Sequence, residues 1–223
     1  RGNMVDDISG PGSTSTQQFT SVLRQMLADD TVGQILIDID SPGGSVYGVS
    51  ELASEIVKAR AQKPVVAVAN SLAASAAYWI GSAADRVVAS PSSTVGSIGV
   101  YLAIPDYSKA AEMAGIKMVV LKSGKYKGAG IEGTSLNADQ VQNLQASVDD
   151  IHAEFKAAVN MKRKLVKADA MEGQTFSGKQ ASQNGLVGAL ADSFTEALSK
   201  FAGSAGSAAP TSVHAFAKGG KAI

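Results

Sequence analysis

The sequence predicts an α/β domain, because short apolar segments with strand character alternate with longer segments of helical periodicity. The clearest strands are residues 34–39 (QILIDI) and residues 64–69 (PVVAVA), and a turn and a helix follow each of them. A chain of 223 residues is long enough to bury one substantial core. These observations favour a single α/β domain, which we expect to comprise residues 1–202.

Composition excludes several classes of function. Lys plus Arg equals Asp plus Glu, at 20 each, so no bulk charge would attract nucleic acid or an anionic membrane. The absence of cysteine excludes disulfides, thiolate metal sites and a cysteine nucleophile. No apolar run reaches the ~18 residues that a membrane span needs, and no signal peptide opens the chain. We expect a soluble protein with no membrane span and no metal site.

The two ends differ in composition from the rest of the chain. Residues 1–15 are polar and rich in Gly and Ser, which predicts a loop, and we expect a first strand upstream of the given sequence. Residues 203–223 are rich in Gly, Ala and Ser and predict a flexible tail or linker. Between them the periodicity predicts helices at 16–28, 46–58, 76–83, 108–114, 137–165 and 192–201, and further strands at 86–89, 116–121 and 186–187.

Ser75 lies at the junction of the second strand and its helix, between pairs of alanines (Ala73-Ala74 and Ala76-Ala77). Small neighbours leave its hydroxyl accessible to a substrate carbonyl, and the start of a helix favours developing negative charge. A serine at this place could equally be the N-cap of the helix. The residues alone therefore leave two interpretations, a nucleophile or a cap.

A Gly43-Gly44 pair follows Pro42 in the turn after the first strand. Adjacent glycines permit positive φ and close backbone approach, so peptide N–H groups there can face open space. Such a turn can form an oxyanion hole or a phosphate cradle, although an ordinary strand-to-helix turn is also possible. The chain contains neither GxxxxGK[ST] nor GxGxxG, so nothing supports nucleotide binding.

Five segments together resemble the signal peptide peptidase A family, and especially its members from tailed phages and prophages that act as capsid-maturation (prohead) proteases. They are DSPGGS (Asp40 to Ser45), NSLAASAAYW (Asn70 to Trp79), TVGSIGVY (Thr94 to Tyr101), SGKYK (Ser123 to Lys127) and FSGKQASQNGLV (Phe176 to Val187), in the order of the family. The resemblance implies a ClpP/crotonase-like fold of repeated ββα units, with a mostly parallel sheet flanked by helices.

The resemblance also implies a serine endopeptidase with a Ser–Lys dyad and no cofactor. Ser75 would be the nucleophile, Lys127 the general base, and Ser97 the residue that hydrogen-bonds and orients the lysine. The N–H groups of Gly44 and Ala76 would form the oxyanion hole. The family further implies a homo-oligomer with shared active sites, acting on capsid or scaffold proteins, in the cytoplasm or inside the assembling procapsid.

The scarcity of histidine agrees with a lysine base. A serine needs a base to take its proton, and the chain has only His152 and His214. His152 lies among acidic residues on a long helix, and His214 lies in the predicted tail. A lysine is therefore favoured, with Lys125 and Lys122 as competitors of Lys127.

Three other functions stay open from the sequence. The first is a bacterial peptidase that degrades signal peptides. The second is a crotonase-type acyl-CoA enzyme, in which the Gly-Gly turn would hold a thioester oxyanion. That class usually places carboxylates at the acyl carbon, and the segments around Ser75 and Ser97 contain none. The third is a non-catalytic assembly scaffold.

Overall fold

The computed structural model describes residues 3–5 and 13–202, which form two compact units. The first unit contains the described residues up to Gly99 together with those from Phe155 onward, and the second contains Val100–Glu154. The tail predicted for residues 203–223 lies outside the described residues. No described helix is both long and apolar enough to cross a membrane.

All the strands that the structure describes belong to the first unit. Two short strands pair in parallel near the start of the chain, and the other six form one sheet. In chain order the strands are β1 (Asn3–Val5), β2 (Ser13–Ser15), β3 (Ile35–Ser41), β4 (Val65–Ala74), β5 (Arg86–Ala89), β6 (Thr94–Gly96), β7 (Thr175–Ser177) and β8 (Ala189–Leu190).

The main sheet is built around β4, and its order is β7-β6-β4-β5-β8, with β3 also paired to β4. The first half of β4 pairs with β5 and its second half pairs with β6, so one long strand serves two short neighbours. Every pairing is parallel except that of β6 with β7. The predicted α/β class with a mostly parallel sheet is confirmed.

Helices flank this sheet in the first unit. Apolar residues of β4 and β5 (Val66, Val68 and Val88) form one buried cluster with Ala197. A β-carbon on Gly81 would lie 2.6 Å from the Cδ1 of Ile39, so a helix approaches the sheet closely there. In chain order the described helices of both units are α1 (Thr16–Ala28), α2 (Val49–Ala59), α3 (Ala76–Ser82), α4 (Ser108–Met113), α5 (Ala138–Lys162), α6 (Gly178–Gln183) and α7 (Phe194–Ala202), with a 3₁₀ turn at Ala168–Ala170. Of these, α4 lies in the second unit and α5 begins there.

The N-terminal prediction was partly wrong. The helix at 16–28 is confirmed, and Ser15 caps it by accepting a hydrogen bond of 3.2 Å from the Gln18 N–H. Residues 1–15, predicted as a loop, contain β1 and β2, which pair with each other in parallel. Strands of three residues are too short to show a periodicity that a sequence pattern could detect.

The strand predicted at residues 116–121 is also wrong. This segment has no regular secondary structure, and Val119 and Leu121 are 72% and 92% exposed. Its apolar β-forming sequence has no paired neighbour within the described residues, and a strand needs such a partner for its backbone groups. The late strand begins at Ala189 rather than Leu186, because the Gly188 N–H makes the first bond to β5, at the Val87 carbonyl.

Candidate active site

Ser75 is the single residue between β4 and α3, and its backbone is strained. Its φ is 52° and its ψ is −129°, outside the regions that a residue with a side chain prefers. Its side chain makes no capping hydrogen bond to α3. Because an N-cap serine would make that bond, the cap interpretation has no support, and the half-buried hydroxyl is available for other contacts.

Ser97 directly follows the neighbouring strand, β6, and lies beside Ser75. Ala74 at the end of β4 pairs in register with Gly96 at the end of β6, so the two serines leave adjacent parallel strands at the same edge. The Ser75 N–H donates a hydrogen bond of 2.9 Å to the Gly96 carbonyl. Among the described residues, Ser75 and Ser97 are the two non-glycine residues with positive φ. Such strain is typical of functional sites.

The Gly-Gly turn after β3 packs against Ser75. A β-carbon on Gly43 would lie 2.7 Å from the Ser75 β-carbon and 2.9 Å from the Ala76 nitrogen. The φ of Gly43 is 101°, a conformation that favours glycine. Ser41 fixes the turn, since its Oγ accepts a hydrogen bond of 3.2 Å from the Gly43 N–H. Glycine is therefore required here by both contact and conformation.

The two predicted oxyanion donors adjoin this contact. Gly44 follows Gly43 and is exposed, whereas Ala76 is the buried first residue of α3. The N–H of a first helical residue has no acceptor within its own helix. Backbone N–H groups held on both sides of a serine hydroxyl can stabilise the negative oxygen that develops during acyl transfer.

A buried helix anchors the site from behind. Every residue of α3 is buried, and the ring of Trp79 stacks on that of Phe155 with centroids 4.6 Å apart. The Tyr78 hydroxyl donates a hydrogen bond of 2.8 Å to the Leu186 carbonyl, and burial raises the pKa of Tyr78. These contacts fix α3, and therefore Ser75 at its start, against the core.

Two arginines hold the other end of α3. Arg60 donates to the Ala83 carbonyl at 2.7 Å and Arg163 to the Ala84 carbonyl at 3.0 Å. Cationic donors at these positions satisfy carbonyls that a helix end leaves without partners. Burial lowers the pKa of Arg163. Both arginines are structural, since they lie at the end of α3 away from Ser75.

The candidate bases lie in the second unit, in the loop after residue 121. Lys125 pairs with Asp139 at 2.9 Å, and this hydrogen bond raises the Lys125 pKa, which disfavours the neutral form that a base needs. Lys122 donates to the Lys125 carbonyl at 3.3 Å. The exposed ammonium of Lys127 makes neither a hydrogen bond nor an ion pair with the part of the chain that the structure describes.

The structure thus brings together four of the five predicted site residues in the first unit. Ser75, Ser97, Gly44 and Ala76 meet at one edge of the sheet, whereas Lys127 belongs to the second unit. The catalytic roles of all five stay predictions. Sequence reasoning missed how closely Gly43 contacts Ser75, although the Gly-Gly signal was present. It also missed Gln174, whose carbonyl accepts a hydrogen bond from the Ser97 N–H although the two residues lie far apart in the chain.

The chain is similar in sequence to known proteins over most of its length. The pattern of peptidase family S49 matches residues 57–206. The chain is 34% identical over 200 residues to head-tail preconnector protein GP5 of Enterobacteria phage P21. It is 34% identical over 190 residues to capsid assembly protease C of Escherichia phage lambda. It is 28% identical over 199 residues to the chloroplastic serine protease SPPA of Arabidopsis thaliana.

These matches cover most of this chain but only part of each relative. They include 88%, 84% and 85% of this chain, in the same order. The corresponding shares of the relatives are 40%, 43% and 29%. The chain therefore spans less than half the length of each of these three proteins.

Proposed function

The chain belongs to peptidase family S49, and we propose that it is a serine endopeptidase that cleaves peptide bonds through an acyl-enzyme formed on Ser75. Its substrates are capsid or scaffold proteins, cut during maturation of a phage or prophage head. It works in the cytoplasm or inside the assembling procapsid. The proposal names no cofactor, because all the groups that the chemistry needs are supplied by the protein.

In the first half of the reaction, the Ser75 Oγ attacks the scissile carbonyl while the neutral amine of Lys127 takes the proton of the Ser75 hydroxyl. The N–H groups of Gly44 and Ala76 stabilise the tetrahedral oxyanion. The C–N bond then breaks, and the Lys127 ammonium gives its proton to the leaving amine. Water next attacks the ester, and the same groups return the enzyme to its starting state.

The observation that carries the proposal is the strained backbone of Ser75 in a site built to surround it. A φ of 52° at a serine lowers the stability of the fold, and no capping hydrogen bond of this serine compensates for the strain. Strain of this kind is typical of a residue with a functional role. The approach of Gly43 to the Ser75 β-carbon leaves no room for any other residue at position 43. Both features suit a nucleophile that lies between the backbone N–H groups of Gly44 and Ala76.

Lys127 is the preferred base because its competitors are engaged elsewhere. The ion pair with Asp139 favours the charged form of Lys125, and Lys122 is bonded to a backbone carbonyl. A lysine becomes neutral when it is desolvated. Lys127 is exposed in the single chain, so another surface has to cover it.

We assign that surface to a second copy of this chain, in a homo-oligomer whose active sites are shared between subunits. Large apolar side chains are exposed on the second unit, among them Tyr101, Met113 and Leu121 at 89%, 89% and 92%. A surface on which several large apolar side chains are exposed is typical of an interaction site. Burial of this surface would desolvate the loop that carries Lys127.

The substrate class rests on likeness to the two phage proteins, one named as a capsid assembly protease and the other as a head-tail preconnector protein. A likeness of 30% identity over 176 residues to a putative signal peptide peptidase of Enterococcus faecium favours a second candidate, a peptidase that degrades signal peptides. Both candidates use the same chemistry and differ in the polypeptide that reaches the site.

The proposal is tested by two measurements on the purified protein. A serine-reactive fluorophosphonate should label Ser75, as shown by peptide mass spectrometry, and not the Ser75→Ala variant. The protein should also be incubated with the products of its neighbouring genes and, separately, with synthetic signal peptides, and the cut sites mapped. Cleavage of the first set supports the head-maturation role, and cleavage of signal peptides alone replaces it with the second candidate. Absence of both labelling and cleavage, or binding of coenzyme A at the same site, would overturn the proposal.

A further inference from the structure

We propose that Gln174 is a positioning residue for the active site, because its side chain closes the turn that holds Ser97 in its strained conformation. The inference rests on the proposed function only for the role of Ser97. The turn comprises residues 172–174 and directly precedes β7. It belongs to the first unit and lies beside the end of β6.

Two backbone hydrogen bonds join this turn to the residues around Ser97. The Ser97 N–H donates to the Gln174 carbonyl at 2.6 Å, and the Gly173 N–H donates to the Ile98 carbonyl at 2.9 Å. Each segment thus supplies one donor and one acceptor. The peptide group before Ser97 and the one after Ile98 are therefore held, which restricts the direction in which the Ser97 side chain leaves the backbone.

Glycines allow the two segments to touch without side chains between them. A β-carbon on Gly96 would lie 2.8 Å from the Gln174 carbonyl oxygen, and one on Gly99 would lie 3.1 Å from the α-carbon of Gly173. The Gly96 φ of 123° also favours glycine. Contacts this close mean that the turn cannot shift without moving Ser97.

The side chain of Gln174 bonds to the backbone at the start of the turn and to the backbone just before it. Its Nε2 donates to the Asp169 carbonyl at 2.9 Å, and its Oε1 accepts from the Glu172 N–H at 3.0 Å. The side chain is exposed and fills no core space. Its removal therefore opens the turn without creating a cavity, and the strained Ser97 is then free to relax to negative φ.

Relaxation of Ser97 would redirect its hydroxyl, which the proposed mechanism uses to orient the base. We expect Gln174→Ala to lower kcat by about 3- to 30-fold, the range for a lost orienting contact, with KM changed by less than about twofold. A variant of purely structural effect would instead lower the amount of folded enzyme and leave kcat per active site unchanged.

Gln180→Ala is the matched control. Gln180 is another exposed glutamine whose Oε1 accepts a backbone N–H at 3.0 Å, that of Ser177 in the capping box of α6. Both substitutions remove a side-chain acceptor from a backbone donor in the same region. The control should lower the stability of α6 and leave kcat unchanged, since the side-chain bonds of Gln180 lie within the capping box and are made to Ser177.

Two measurements on the full chain decide the inference. Hydrogen exchange, read by NMR or by fragmentation mass spectrometry, should show faster exchange of the Ser97 amide in Gln174→Ala than in Gln180→Ala. In a double-mutant cycle, Gln174→Ala should have little further effect on kcat in the Ser97→Ala background, because both act through one hydroxyl. Additive effects, or a kcat equal to that of the control, would overturn the positioning role.

The exchange experiment needs no activity, so it separates two kinds of failure. Unchanged exchange of the Ser97 amide would show that Gln174 does not hold the turn, whatever the enzyme does. Faster exchange in a chain that neither cleaves peptides nor reacts with a fluorophosphonate would contradict the proposed function. The effect of Gln174 on catalysis would then be contradicted as well, although its hold on the turn would stand.

Discussion

Gly43 lies against Ser75 so closely that a β-carbon on Gly43 would be 2.7 Å from the Ser75 β-carbon. The same atom would be 2.9 Å from both the Ala74 carbonyl oxygen and the Ala76 nitrogen. These are backbone atoms of the end of β4 and the start of α3, which cannot swing aside as a flexible side chain does. The turn after β3 and the serine after β4 therefore form one rigid site.

Gly43→Ala should lower both stability and activity. The added methyl group clashes with Ser75, and φ 101° strains any residue that carries a side chain, so we expect a loss of about 2–3 kcal/mol in the free energy of unfolding. Gly115→Ala is the control, because Gly115 has a positive φ of 72° and no atom within 4 Å of the new β-carbon. It should lose about 1 kcal/mol and keep its activity. Equal losses in urea unfolding would show that the contact with Ser75 is unimportant.

Ser75→Ala should abolish peptide hydrolysis, by about 10³-fold or more, and leave the unfolding free energy unchanged. Ser75 makes no capping bond, so the substitution removes an oxygen without breaking a bond to α3. Ser15→Ala should instead lower the unfolding free energy by about 1 kcal/mol and leave hydrolysis unchanged. Ser15 caps α1 by accepting a hydrogen bond from the Gln18 N–H, and the substitution removes this cap. A Ser75→Ala variant that still cleaves at the wild-type rate is incompatible with the assigned nucleophile.

Lys127→Ala should be as inactive as Ser75→Ala, whereas Lys125→Ala should stay within about threefold of the wild type, since an exposed ion pair contributes little. The bond to Asp139 raises the Lys125 pKa and keeps that residue charged at higher pH. A lysine base is active only when neutral, so activity should rise with pH. The measurement is kcat/KM between pH 6 and 9. A flat profile, or equal losses in the two variants, would contradict Lys127 as the base.

A mixture of Ser75→Ala and Lys127→Ala proteins should regain activity once their subunits exchange. If serine and lysine come from neighbouring copies, some interfaces in the mixture pair an intact Ser75 with an intact Lys127. Exchange is verified with two fluorescent labels, and the oligomer by sedimentation. Each variant taken alone through the same exchange conditions is the control and should stay inactive. Persistent inactivity after verified exchange, or an active monomer, would rule out shared sites.

Local patterns in the sequence were sufficient for much of the fold. The apolar stripe of 16–28 and the apolar runs at 34–39 and 64–69 predicted α1, β3 and β4, because side-chain periodicity follows directly from helix and strand geometry. The Gly-Gly pair and the serine among alanines also indicated where the candidate site lies. By contrast, the apolar run at 116–121 misled, because a strand requires a partner that no local pattern specifies.

The sequence by itself determined the α/β class, the course of the chain through β4 into α3, and which residues are candidates for the chemistry. Only the tertiary structure decided that Ser75 is strained and makes no cap, that Ser97 stands beside it, and that Gly43 touches it. It also decided that the Gln174 carbonyl accepts a hydrogen bond from the Ser97 N–H. The physical reason is that these relations depend on strand register and close backbone packing between segments far apart in the chain, which amino-acid preferences and short-range periodicity do not encode.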